Sequence, residues 1–329
     1  MVVQRNDWIC VPFYHAGCWS ESGGRSVSPV EGKAEHLSDK SWLKIISTPE
    51  GEMKSFVERR NHQGVLEVIS ASLLVESLQS CARRDPNRFA KLALSFPESC
   101  SPGYIQAIFY GIANSVTDGT SIDSSLIYQL IQKYSRSRDV NIASGILHLI
   151  ELTSEEKWTE NILRVVTWLA LNHPNPQENT YTVESGEDPE NKTVDTIRHS
   201  SLNCVRGEAL STLADLVDKH SNWLCKVQKT VERAAEDIND SVRFALPPLL
   251  ALFYEKEPTF ARSVFQKLLG KDIRVIASRR AWYLIRQDFL NESVYYRNLL
   301  ETGCQSKVDD LAECAAGQLC ALVLLFNDI

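Results

Sequence analysis

The sequence predicts an all-α protein, an α-solenoid in which successive helical hairpins stack on one another. Three observations lead to this prediction. Apolar residues recur at helical spacing along nearly all of the chain after residue 36. Several of these segments open with a capping residue followed by proline, which suits the first turn of a helix. Strand signals are almost absent, since a tight Asp-Gly turn occurs only at Asp118-Gly119, between two predicted helices.

Size and composition are those of a globular protein. The 329 residues, of which 43% are apolar and 23% charged, suffice for one large or two ordinary domains. A net charge of −7 does not favour general affinity for nucleic acid or membranes. No apolar run reaches the roughly 18 residues of a membrane span, and the N-terminus lacks the pattern of a signal peptide. We therefore expect a cytoplasmic protein with no membrane association.

Cysteine usage agrees with that compartment. Nine cysteines are an odd number, they are scattered, and no Cys-x-x-Cys occurs. Several lie on apolar helical faces, where a free thiol acts as a small hydrophobic group. The pattern is typical of a reducing cytoplasm. The cysteines are Cys10, Cys18, Cys81, Cys100, Cys204, Cys225, Cys304, Cys314 and Cys320.

The chain divides into four segments by composition. Residues 1–36 mix aromatic residues with glycine and proline and predict an irregular arm. Residues 37–172 form an N-terminal helical array. Residues 173–196 are a long break, with five acidic residues and one lysine between 178 and 192, and we interpret them as an acidic loop or linker. Residues 197–329 form a second array of repeated helices.

The helices of each array are predicted from stripes of apolar residues and from capping residues or proline at the helix starts. In the first array Ser38 or Asp39 caps a short helix that ends at Pro49. Asp85-Pro86 and Ser101-Pro102 each open a further helix. The long helices predicted in the two arrays cover 65–84, 86–96, 104–116, 123–134, 140–152 and 157–171, then 202–219, 222–238, 240–254, 258–269, 273–288, 293–301 and 307–326.

A short pattern repeats in the second array. Val205-Arg206, Val242-Arg243 and Ile273-Arg274 each begin a helix with an alanine two or three positions after the arginine. The arginines at 206, 243 and 274 are 37 and 31 residues apart, about the length of a helix pair. Each arginine could bridge to acidic groups at a neighbouring turn, such as Asp237 or Asp240. The pattern resembles HEAT/armadillo-type repeats; the alternative is a generic helical bundle.

A second resemblance covers about residues 37–325. The runs Arg84–Leu94, Pro102–Ile108 and Asn203–Ala209 resemble the C-terminal helical-repeat region of bacterial NACHT/STAND-type NTPases, which act in signalling and anti-phage defence. In that family the repeat region senses a ligand, often a phage protein. The resemblance therefore implies a protein partner, either a phage protein or a separate NTPase or effector subunit.

The ATPase part of that family has no counterpart in this sequence. No Gly-x-x-x-x-Gly-Lys-Ser/Thr loop occurs, and Ser22–Ser26 lacks both the lysine and the flanking strand and helix. No catalytic or cofactor residue is carried over, and no cofactor is expected. Because the chain ends on a repeat helix without a polar cap, we expect a fragment or a split partner of a larger NTPase.

Candidate metal ligands occur in the N-terminal arm. Cys10, His15 and Cys18 have metal-like spacing, and His36 could be a fourth ligand. Zinc sites usually have closer pairs of ligands, and apolar neighbours surround these three residues. We interpret them as packing residues of the arm and predict no metal.

Catalytic constellations are not recognisable. None of the seven histidines lies in a catalytic motif. His148 lies on an apolar helical face and is predicted to be a core residue, whereas His173 and His199 flank the acidic loop and are predicted to be exposed. The sequence therefore predicts a protein that is not an enzyme.

A basic segment is the best candidate for a binding surface. Between residues 262 and 286 the chain has seven basic residues and one acidic residue, and Trp282 and Tyr283 lie among the basic residues. Clustered arginines beside aromatic residues bind acidic proteins or nucleic acid, but they are also common on solvated helix faces. We predict protein binding, with nucleic-acid binding as the alternative. The candidate residues are Arg262, Lys267, Lys271, Arg279, Arg280, Trp282 and Arg286, while Arg274 belongs to the repeat.

Overall fold

A computed structural model of the chain describes residues 25–27, 34–48, 59–60, 66–69, 71–153, 158–177 and 193–326. The chain forms two compact units, Met1–Ser77 and Leu78–Ile329. Most of the predicted arm, with Cys10, His15 and Cys18, lies outside the described residues. The acidic stretch 178–192 of the predicted loop also lies outside them.

The described residues of the first unit include one helix, a small sheet and the first residues of a second helix. Ser38 caps helix α1 (Asp39–Ile46), because its side-chain oxygen accepts a hydrogen bond from the backbone N–H of Ser41. The three strands are β1 (Arg25–Val27), β2 (Arg59–Arg60) and β3 (Leu66–Ile69). Strand β3 is central, with β1 parallel and β2 antiparallel to it.

This sheet corrects the helix that was predicted over 65–84. The first residues of that predicted helix form strand β3, and helix α2 begins only at Ala71 and ends at Arg84. The stripe of Leu66 and Ile69 fits helical spacing, but Val68 and Ile69 are β-branched and favour a strand. A strand of four residues has too few positions for its period of two to be distinguished from a helical period.

The second unit is helical. Its helices after α2 are α3 (Pro86–Leu94), α4 (Pro102–Thr117), α5 (Ser124–Tyr134), α6 (Val140–Leu152), α7 (Glu160–Asn172), α8 (Val194–Asn203), α9 (Val205–Lys219), α10 (Leu224–Ala235), α11 (Asp240–Phe244), α12 (Pro247–Tyr254), α13 (Pro258–Lys271), α14 (Ala281–Asp288), α15 (Ser293–Cys304) and α16 (Asp309–Leu325). Short 3₁₀ helices at Ser221–Trp223 and Ile273–Ala277 precede α10 and α14.

Consecutive helix pairs pack against one another, which confirms the predicted all-helical pairing. Helices α4, α6, α9, α12 and α14 contact each other in that order. Helices α7, α10 and α13 form a second row in the same way, and α15 packs on α16. Ile112, Ile146, Leu213 and Leu249 of four successive helices in the first row are fully buried, so no pair buries its apolar stripe alone.

Gly111 marks a close approach between two helices. A Cβ atom at Gly111 of α4 would lie 2.5 Å from the backbone oxygen of Gln79 and 2.6 Å from the Cβ of Ala82 on α2. Real Cβ atoms do not come so near to backbone, so any side chain at residue 111 would push α2 and α4 apart.

Two helices that were predicted as continuous are broken. The helix predicted over 240–254 ends at Phe244 and resumes at Pro247, because proline has no N–H to donate within a helix and suits only its first turn. The helix predicted over 273–288 begins as a 3₁₀ helix at Ile273–Ala277, followed by α14. The β-branched run of Ile273, Val275 and Ile276 weakens α-helix formation there.

The repeated arginines join one pair to the next. Arg206 donates to Asp237 at 3.1 Å, and Arg243 lies 3.6 Å from Asp272 while donating to the backbone oxygen of Asp237 at 2.6 Å. Arg274 makes two 2.8 Å hydrogen bonds to Asp272 and reaches back to Asp240 at 3.5 Å. These side chains expose between 6 and 15% of their surface. Removing one partner therefore leaves a poorly solvated charge behind.

We expect Asp272→Ala to lower the free energy of unfolding by about 3 kcal/mol, since it leaves Arg243 and Arg274 short of a buried partner. The matched control is Glu160→Ala, which breaks an exposed pair with Lys226 and should lower the free energy of unfolding far less. Urea unfolding followed by circular dichroism measures both. Equal losses in the two variants would contradict the structural role of Asp272.

Candidate interaction surface

The predicted basic segment spans α13, the 3₁₀ helix and α14. Arg262, Lys267 and Lys271 belong to α13. Arg279 and Arg280 lie in the turn before α14, and Trp282 and Arg286 lie on α14. The structure divides these residues into those with internal partners and those without.

Arg262 belongs to a buried network. Asp288 is fully buried and accepts hydrogen bonds from Arg262 Nε at 2.8 Å to each carboxylate oxygen. It also accepts from the hydroxyl groups of Tyr254 and Tyr296 at 3.0 and 3.1 Å and from the Asn291 amide at 3.1 Å. Burial alone would raise the pKa of Asp288, but these hydrogen bonds outweigh burial, and the pKa is lowered. Asp288 therefore links α12, α13, α14 and α15, and Arg262, which is bound to it, is not free to contact a partner.

Two further basic residues are also engaged within the chain. Lys267 pairs with Glu236 on the preceding helix α10, where both side chains are about half exposed. Arg274 is bound to Asp272 and Asp240, as the repeat pattern suggested. The segment is thus less basic towards solvent than its composition indicates.

Four basic residues remain available. Lys271, Arg279, Arg280 and Arg286 are exposed. Within the part of the chain that the structure describes, their side chains make no ion pair or hydrogen bond. Trp282 and Tyr283 beside them are half-buried. We call Arg279, Arg280, Arg286, Trp282 and Tyr283 the arginine surface.

The backbone of Arg280 is unusual. Its φ angle is +69°, and no other described residue except glycine has a positive φ. A side chain in this left-handed region costs roughly 1–2 kcal/mol, which glycine avoids. Its carbonyl oxygen accepts the first hydrogen bond of α14, from the N–H of Leu284. An exposed arginine therefore has a backbone conformation that costs stability, and its side chain has no ion-pair or hydrogen-bond partner among the described residues.

A second polar cluster lies on three adjacent helices. The rings of Tyr110 on α4 and His148 on α6 stack with centroids 4.7 Å apart. Ser144, one turn before His148, donates a hydrogen bond of 2.9 Å to Glu208 on α9. Burial raises the pKa of Glu208 to about 8, the hydrogen bond from Ser144 opposes this, and nearby Glu151 adds to it. Burial also lowers the pKa of His148, so the cluster holds an imidazole and a carboxyl group that both favour their neutral forms.

This cluster was not predicted as a unit from the sequence. His148 was predicted to be a core residue, and it is only partly buried. The available signal was the spacing of Gln106 to Tyr110 and of Ser144 to His148. Each is a pair of polar residues one turn apart in a helix that is otherwise almost entirely apolar.

His173 corrects a prediction. It was expected to be exposed beside the acidic loop, but it is fully buried at the end of α7. Its Nδ1 accepts a hydrogen bond of 3.1 Å from the backbone N–H of Asn175, whose side chain in turn accepts from the N–H of Val205. His173 is needed at the junction with α9, where its own carbonyl oxygen faces Arg206 at 3.5 Å. His199 is exposed, as expected.

Metal and membrane sites do not emerge from the described ranges. Among those residues, no three His, Cys, Asp or Glu side chains are grouped to hold a metal ion. None of the described helices combines the length and the apolar character that a bilayer crossing requires.

Comparison with protein-family models, with curated proteins and with solved structures finds no match. The resemblance to NACHT/STAND-type repeat regions therefore stays a prediction from the motifs quoted above. The function of the chain has to be inferred from its own surfaces.

We expect Asp288→Asn to lower stability at pH 7 by about 2–4 kcal/mol, because Arg262 loses its buried counter-charge. The pKa of Asp288 is lower in the folded than in the unfolded state. Its contribution is therefore complete above the unfolded value near 4 and is lost as the pH falls below it. Urea unfolding between pH 3 and 7 should show a weaker acid dependence in Asp288→Asn than in the wild type. The control Asp195→Asn, at a highly exposed pair with Arg198, should follow the wild type; the idea fails if Asp288→Asn does so too.

Glu208→Gln should instead change the free energy of unfolding at alkaline pH. The folded state keeps a proton on Glu208 up to about pH 8, whereas an unfolded glutamate ionises near pH 4.3, so wild-type stability falls as the pH rises between these values. Glutamine imitates the neutral form, and we expect the variant to be more stable than the wild type at pH 8.5 and similar to it at pH 4.5. The control is Glu232→Gln on the exposed face of α10. A wild-type pH profile that Glu208→Gln leaves unchanged would contradict the buried-carboxyl account.

Proposed function

We propose that this chain is a non-enzymatic α-solenoid that binds another protein through the arginine surface. Its role would be that of a ligand-sensing or scaffold region of the kind found in bacterial NACHT/STAND-type NTPases. The observation that carries the proposal is Arg280, an exposed arginine in a strained backbone conformation with no partner among the described residues. Backbone strain that does not stabilise the fold is typical of residues that contact a ligand or a partner.

The composition of the surface supports a protein as the partner. Arginine, tryptophan and tyrosine are the residue types most enriched at protein interfaces and at their energetic centres. Trp282 and Arg286 are one turn apart on α14 and therefore share a face, to which Arg279 and Arg280 add charge at the N-terminal end. The positive end of the helix dipole adds to that charge. A partner with an acidic segment and an apolar anchor fits this chemistry.

Nucleic acid is the second candidate, and it is less favoured. Phosphate-driven binding needs a track of many free cations. Arg262, Lys267 and Arg274 are bound internally, which leaves three arginines and Lys271 in a chain of net charge −7. The half-buried aromatic rings beside the arginines keep this candidate open to test, because they could stack on bases.

The proposed compartment is the cytoplasm. All seven cysteines of the described residues are free thiols, and Cys225 and Cys320 are exposed. Exposed free thiols persist in a reducing environment. No cofactor enters the proposal, since recognition by charge and aromatic contact requires none.

The test uses two fluorescent probes, an oligoglutamate peptide and an oligothymidine, with anisotropy measured over a range of salt concentrations. We expect the peptide to bind more tightly than the oligothymidine. We also expect Arg280→Gly to weaken peptide binding about tenfold or more, the cost of losing a charge-assisted contact. The control Lys229→Ala removes an exposed charge from α10 and should leave the affinity unchanged. Tighter binding of oligothymidine with a steep salt dependence would favour nucleic acid, and equal affinities of wild type and Arg280→Gly would overturn the proposal.

The same variant separates binding from folding. Glycine relieves the strain at residue 280, so Arg280→Gly should leave the free energy of unfolding unchanged or raise it by up to about 1 kcal/mol. Arg286→Gly, inside α14, should lower it by about 1 kcal/mol, as glycine does in a helix. Loss of binding with unchanged or improved stability is the result expected of a residue kept for contact.

A further inference from the structure

The last helical hairpin leaves an apolar patch open to solvent. Eight large apolar side chains are exposed in the described residues, and five of them are at this end, with 56–75% of their surface accessible. The rings of Phe289 and Phe326 lie 5.1 Å apart, which brings the start of α15 next to the end of α16. The five residues flank these two rings in sequence: Leu290, Val294, Val323, Leu324 and Leu325.

The outer face of α16 continues this patch. Leu311, Ala315 and Leu322 on the inner face are buried, whereas the outer face carries small residues and leucine. A Cβ atom at Gly317 would meet nothing within 4 Å, so the helix surface there is open. From residue 314 to 326 there is no charged residue. From residue 313 onwards, the exposed positions of α16 are Glu313, Ala316, Gly317, Cys320, Val323, Leu324 and Leu325.

We propose that this end of the chain, formed by the outer face of α16 and by Leu290 and Val294, binds the same surface of a second copy about a twofold axis. In such a contact each residue faces the same patch on the other copy, so the surface must be complementary to itself. A charged patch would repel its copy, and the outer face of α16 carries no charged residue from 314 to 326. The acidic residues of α16 are confined to its N-terminal part, at Asp309, Asp310 and Glu313.

The size of the patch also fits a second copy. Five side chains exposed by more than half leave several hundred Å² of apolar surface, which is as large as the largest patch of an ordinary monomer. A stable interface buries about 800 Å² per partner, and the small-residue face of α16 extends the patch towards that area. Ala316 and Gly317 would let the two α16 helices approach closely, at the short end of the roughly 8–10 Å range of helix packing.

The test is the molar mass of the full chain, measured by sedimentation equilibrium over a range of concentrations. We expect a monomer–dimer equilibrium in the wild type. Leu324→Asp should shift it at least tenfold towards monomer, because a carboxylate would be buried against apolar surface. Gly317→Trp should do the same by filling the space that the second helix needs. The matched control is Gly270→Trp on α13, another helical glycine at which an added Cβ would meet no atom within 4 Å, and it should dimerise like the wild type.

Thermal unfolding checks that the variants fold. Residue 324 is 75% exposed and residue 317 is open, so both variants should melt close to the monomeric wild type at low concentration. A monomer at every concentration would overturn the proposal. Dimers that persist in both variants would place the contact on another surface and overturn it too, as would open-ended oligomers, because a twofold contact closes on itself.

Discussion

No helix pair in the second unit can bury its own apolar stripe, and the rest of the structure depends on this constraint. Each pair must present one side to the pair before it and one side to the pair after it. Packing provides most of the stability, but apolar contact alone does not fix how far one pair slides along the next. The ion pairs Arg206–Asp237, Arg243–Asp272 and Arg274–Asp240 supply that register, because each joins two elements that are distant in sequence in largely dry surroundings.

The same arginine chemistry serves two purposes in this chain, and burial separates them. Arg262 and Arg274 are held by carboxylates within the fold. Arg279, Arg280 and Arg286 have the same side chain and no such partner in the described ranges. A basic segment identified from sequence contains both bound and free arginines. Its total charge is therefore larger than the charge that a partner could contact. The useful distinction is whether an aspartate from another element reaches the guanidinium.

Much of the helical part follows from the sequence, because stripes and caps are local signals. Asp85 before Pro86 accepts from the N–H of Arg88 as a capping residue should. The breaks at Pro247 and after Ala277 are less evident, since the apolar spacing runs through them unchanged. Strand β3 was not predicted because four residues give too short a pattern, because its partner β1 is distant in sequence and because its other partner β2 has only two residues. The basic segment is evident from the sequence, but its division into bound and free basic residues depends on Asp288 and Glu236, which no local rule connects to Arg262 and Lys267.

The network around Asp288 has a consequence for how the molecule opens. In a stack where each pair contacts only its neighbours, the end pair can detach by itself. Here one carboxylate takes hydrogen bonds from Tyr254 on α12, Arg262 on α13 and Tyr296 on α15. Detaching α15 would remove the hydrogen bond from Tyr296 to the buried Asp288 carboxylate. We therefore expect these helices to open as one cooperative unit. Their slowest-exchanging amide protons would then share a single opening free energy, where a simple chain of repeats would show a gradient that decreases towards its end.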